Sequence, residues 1–185
     1  MPLPTPVKRS PMHNRTIVMD GYEREDGLFD IDGRITDVKN VEFITESDRV
    51  VAPGEALHDM SIRLVVDDTL TVHEVQAVTD GSPHPACPDA TTYLQRLKGL
   101  NLMKGWRAAI REHMAGAEGC AHHKELLNAM ASGAYQCLTV VRKKKATDQP
   151  AGEARMGKLD SCLAYSHSGP LVERKWPVFF RKAGS

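Results

Sequence analysis

Cysteine and histidine stand two residues apart in Cys120-Ala121-His122, with His123 beside them. Gly116 and Gly119 precede this segment, and Leu126, Leu127, Met130, Ala134 and Cys137 follow at helical spacing, so Cys120 is predicted to open a long helix. Cys87-Pro88-Asp89 opens a second, with Tyr93, Leu94 and Leu97 as its apolar positions and Gly99 as its stop. A thiol at a helix start faces unpaired N–H groups and the positive end of the macrodipole, which favour the thiolate, the form that binds metal or attacks an electrophile. With His58, just before a strand, the set His58, Cys87, Cys120 and His122 offers two soft and two borderline ligands, suited to zinc or iron. An ion held with an open position would act as a Lewis acid on a carbonyl or hydroxyl of a small organic substrate. Asp37 or Glu74 would accept the proton, since each is predicted to share a strand face with apolar residues. No CxxC or HExxH spacing exists, so the set depends on the fold; the competing reading makes both cysteines small capping or core residues.

A rival site needs no metal. Acids, an arginine and a tyrosine crowd the segment from Met19 to Gly27, and Asp20, Arg24 and Asp26 with His58 could line a pocket for cofactor-independent proton removal, as in a lyase of aromatic catabolism. A salt-bridged hairpin surface explains the same residues. Cys137 reads as core on its helix stripe, and Cys162 as packed in a strand. Asp30-Ile31-Asp32-Gly33 lacks the later oxygens of a calcium loop. Arg142 to Lys145 reads as a solvated tract.

The elements that must position these groups are those of an α+β domain, an antiparallel sheet with helices packed on one face. Residues 1–12, with four prolines, read as a mobile leader, and 13–185 as a single domain with an exposed loop at about 143–157. Thr16 to Met19 breaks at Asp20-Gly21, a two-residue turn signal, after which Phe29, Ile31 and Ile35 alternate with charged residues and carry Asp37 onto the apolar face. Ile62, Leu64 and Val66 before Asp67-Asp68-Thr69, with Leu70, Val72, Val75 and Val78 after it, predict antiparallel strands at about 60–66 and 70–79. A helix from about 104 to 114 and a closing pair of strands around 159–165 and 171–180 complete the chain.

Basic and acidic residues balance at 24 each, which demotes nucleic acid and anionic membrane as partners. No stretch approaches a membrane span or a secretion signal, and four scattered cysteines make no disulfide framework, so a cytoplasmic chain with free thiols is expected.

The run from His13 to Asp30, with His58-Asp59-Met60 and Gly119-Cys120-Ala121-His122, resembles a bacterial domain-of-unknown-function family, number 2889 in that series, over nearly the whole chain from His13. The order of hairpin, cysteine-led helix and late Cys-His helix, over roughly 56–137, is similar to iron–sulfur scaffold proteins of the NifU and SufE type. That resemblance implies a core of that kind, in which Cys87 and Cys120 match two scaffold cysteines and His122 a neighbouring ligand. Ala56-Leu57-His58-Asp59 stands where the scaffold has Ala-Cys-Gly-Asp, so the first cysteine is absent, which suits a fixed mononuclear metal better than a transferable cluster. It also implies a non-enzymatic alternative, a metal scaffold or carrier.

Overall fold

A computed structural model describes residues 3–147 and 159–182. Residues 3–12 are irregular and exposed. From His13 the chain builds a four-stranded antiparallel sheet of β1 (His13–Glu23), β2 (Phe29–Lys39), β5 (Ala56–Val66) and β6 (Val72–Gly81), in the order β1-β2-β5-β6. Two short strands, β3 (Phe43–Ile44) and β4 (Val50–Val51), pair with each other in the connection between β2 and β5.

The α+β expectation holds, because period-two alternation gives the sheet one wet face and one dry one. Ile31, Ile35, Met60, Ile62 and Leu64 are buried together with Leu126, Leu127, Met130 and Ala134 of α2 (Ala121–Cys137), which packs across β1, β2 and β5. On the opposite face Arg34 pairs with Asp59, Arg63 with Asp32, and Arg24 with Asp30. Between β6 and α2 lie a 3₁₀ segment, Cys87–Leu97, which buries Leu94 and Leu97, and α1 (Trp106–His113), whose Trp106 donates to the Leu127 carbonyl at 3.0 Å.

The first turn is not at Asp20-Gly21. β1 runs through that pair to Glu23, and the chain reverses at 24–28, where Gly27 takes φ 82° and Arg24 bridges Asp26 and Asp30. Gly21 serves proximity instead: a Cβ there would collide with the Cys137 side chain of α2. Gly33 does the same one strand over, since its Cβ would lie 2.7 Å from Met130 Sδ.

The chain divides into two compact units, Met1–Leu138 and Thr139–Ser185. The second contains α3 (Thr139–Thr147) and α4 (Pro170–Lys175), with 3₁₀ turns at Leu163–Tyr165 and Pro177–Phe179. The predicted closing strands are absent among its described residues: Pro170 and Pro177 cannot donate to a ladder, and Asp160 takes the His167 N–H with its own side chain. Cys162 is therefore exposed rather than packed in a strand. The loop expected at 143–157 begins as helix through Thr147, and 148–158 lie outside the described residues. No described helix is long and apolar enough to cross a membrane.

Candidate functional site

The full-length β1–β2 pairing sets Arg15 opposite Asp37, and the β2–β5 pairing sets Asp37 opposite His58. Three strands thus present a cation, a carboxylate and an imidazole in one row, on the face covered by α2. Cys120 is the residue before α2, whose first turn brings His122 down onto that row.

Asp37 is 1 % exposed and forms the hub. Arg15 grips it from both sides, Nε to Oδ1 and Nη2 to Oδ2, each at 2.7 Å. His13 Nε2 stands 3.0 Å from Oδ1, while His58 Nδ1 and His122 Nε2 approach Oδ2 at 3.1 and 3.4 Å. The rings of His58 and His122 stack with centroids 3.7 Å apart. His58 Nδ1 is buried and, despite its closeness to Asp37, is not aligned for a hydrogen bond. Burial alone would raise the Asp37 pKa, but the Arg15 hydrogen bonds and charge, helped by the two imidazoles, hold it below the usual carboxylate value. Burial pushes His58 down to about 4, with His122 adding to the effect, and burial also lowers His122. Both imidazoles are accordingly neutral near pH 7, the form that ligates metal.

Among the described residues, Asp37, His58 and His122 are the group whose donor atoms lie close enough to share an ion, all within 4.8 Å of one another. Ligands about 2.0–2.2 Å from a tetrahedral ion stand roughly 3.3 Å apart, close to the 3.1 and 3.4 Å that separate His58 and His122 from Oδ2 of Asp37, and the donor atoms all lie within 4.8 Å of one another. Two histidines and one carboxylate are a complete protein ligand set for zinc or non-haem iron, with positions left for substrate.

The structure corrects several expectations. Cys87 and Cys120 are not members of this group. Cys87 opens the 3₁₀ segment, and Cys120 meets the group indirectly, its Sγ 3.8 Å from Nδ1 of His122. Asp37, marked as a proton acceptor, is itself a member of this group. Glu74 is exposed and bonded to Gln76; the register shift between Val65 and Val66 puts both Val72 and Val75 inward and turns Glu74 out. Asp20 lies on the wet face of the sheet, across from Asp32, while Arg24 is spent on Asp26 and Asp30, so neither forms a pocket with His58. His123, next to His122, is wholly buried, and neither ring nitrogen meets a hydrogen-bond partner.

Arg15, His13 and Glu125 escaped the sequence reading. The signal of His13 and Arg15 was present in the alternation of β1, but an early turn at Asp20-Gly21 removes the register that sets Arg15 against Asp37, and Glu125, on α2, is placed only by the packing of that helix on the sheet.

Comparison with protein families matches residues 13–136 to DUF2889, a family of proteins of unknown function. The chain belongs to this family. The match begins at His13 and takes in Arg15, Asp37, His58, Cys120, His122 and Glu125, so the whole centre lies within the DUF2889 segment. No curated protein and no solved structure matches the chain, and the likeness to iron–sulfur scaffolds is found by neither comparison.

Proposed function

We propose that this chain holds one divalent metal ion, zinc or iron, through Asp37, His58 and His122, and is an enzyme acting on a small organic substrate. The observation that carries the reading is the convergence of a carboxylate and two imidazoles with donor atoms all within 4.8 Å of one another, together with the buried Nδ1 of His58, which has no hydrogen-bond partner. A bound ion would supply Lewis acidity towards a carbonyl or hydroxyl oxygen. The protein's residues do the rest. Arg15 fixes the plane of the Asp37 carboxylate, and with an ion on Nε2 of His122 its Nδ1–H would face Cys120 Sγ, 3.8 Å away. The test is elemental analysis of protein purified without chelator. Close to one metal per chain is expected, lost in His58→Ala and His122→Ala and kept in Cys87→Ala. A metal-free wild type overturns the reading.

A second reading rests on a different observation. Arg15 already balances the charge of Asp37, so the group is electrostatically complete without an ion. His58 or His122, neutral near pH 7, would then be the base of a cofactor-independent lyase. Activity that survives exhaustive chelation favours this reading, and activity restored only by added metal favours the first.

A further inference from the structure

Arg15 has one more edge than Asp37 uses. Its Nε and Nη2 serve the two oxygens of Asp37, while Nη1 turns outward to Oε2 of Glu125. A guanidinium carries five coplanar N–H donors, so an arginine that gives its Nε–Nη2 edge to one carboxylate keeps the Nη1–Nη2 edge for a second. Glu125 sits on α2 one turn beyond His122, on the rim of the same centre. Its side chain is 50 % exposed and that of Arg15 31 %, whereas Asp37 is closed off at 1 %. An ion pair so open to water contributes little to stability, so another carboxylate can take its place at small cost.

We infer that the outward edge of Arg15 is a seat for the carboxylate of a small organic acid, filled in the free protein by Glu125. Resting on the metal reading, the substrate is then an acid with a hydroxyl or carbonyl oxygen on the carbon next to its carboxylate. Nη2 of Arg15 carries one hydrogen towards Asp37 and one towards this seat, so the two carboxylates would be neighbours on one guanidinium, and the adjacent oxygen of the acid is the atom that would face the Asp37–His58–His122 group. His13, on the opposite oxygen of Asp37, leaves the Glu125 side of Arg15 free for it.

Glycolate is the smallest acid of this class and serves as the probe, titrated by calorimetry into the zinc-loaded full chain. Glu125→Gln keeps the length of the side chain but gives up the competing charge, and should bind glycolate at least five-fold more tightly than wild type. Arg15→Lys keeps a charge but not the planar fork, and should lose at least ten-fold. Equal affinity in wild type and Glu125→Gln overturns the seat; if Arg15→Lys fails to fold by circular dichroism, the Glu125→Gln ratio decides alone. Metal content measured in each sample separates the two claims. A chain that holds zinc but shows no gain in Glu125→Gln keeps its metal centre and loses the seat. A chain that takes up no zinc loses the metal reading, and the same ratios measured on metal-free protein decide the seat.

Discussion

Asp37 is a carboxylate that the fold keeps charged at almost complete burial, and it stays so because Arg15 meets both of its oxygens. Removing one partner of such a pair leaves the other desolvated and uncompensated, at a cost of about 3–5 kcal/mol. Arg15→Ala, which leaves the buried Asp37 without its cation, should therefore lower the unfolding free energy by about that amount in urea titrations, whereas Asp37→Ala, which leaves the water-exposed Arg15 with Glu125, should cost less and abolish metal uptake. A loss under about 1 kcal/mol in Arg15→Ala would mean that water already screens the pair, against the burial of Asp37. Asp37, His58 and His122 were legible in the sequence because each carries its own signal: a carboxylate on an apolar strand face, and histidines at the edge of a strand and of a helix. Their partnership was not. Cys87 and Cys120 share the chemical type of a metal ligand, but which donors converge depends on strand register, which no local spacing encodes.

The turn between β5 and β6 shows how an element is held by one side chain. Leu70 takes φ 69°, a conformation rare outside glycine, while its side chain is fully buried. Asp67 fixes the turn around it, accepting from the N–H of Thr69 at 2.9 Å, its hydroxyl at 2.7 Å and the N–H of Thr71 at 3.0 Å, with His73 3.0 Å from its other oxygen. Burial works against the charge of Asp67, but these bonds outweigh it and hold its pKa at about 2, below the ordinary 3.8. With the folded value below the unfolded one, the stabilisation is complete above pH 4 and is lost as pH falls towards 2. By linkage it amounts to about 2 kcal/mol. Asp67→Ala should lose roughly this much at pH 7 and unfold with a flatter pH dependence between 4 and 2. Denaturant midpoints at pH 7, 4 and 2.5 measure both, and an unchanged acid slope would place the titration on another carboxylate. This hairpin was readable because Asp67-Asp68-Thr69 carries its own turn chemistry. The first hairpin was misplaced because Asp20-Gly21 imitates that chemistry, although Gly21 is there to let α2 approach.

At the scale of the molecule, the family segment 13–136 nearly coincides with the first compact unit, Met1–Leu138. That unit contains the four-stranded sheet, α1 and α2, and the residues that surround Asp37: His13, Arg15, His58, His122 and Glu125. A domain of this size buries enough apolar surface to fold without disulfides, and its core of Ile31, Ile35, Met60, Ile62 and Leu64 against Leu126, Leu127 and Met130 is drawn from the unit's own residues. A chain shortened to end at Leu138 is therefore expected to unfold in one cooperative transition and to keep the metal content of the full protein. Circular dichroism during urea titration reads the first, elemental analysis the second. Cooperative folding with loss of metal would show that a ligand comes from residues after 138, which the Asp37–His58–His122 assignment does not allow. Failure to fold would show that the first unit depends on the second. Retention of both would confine the chemistry of this chain to the segment that defines its family.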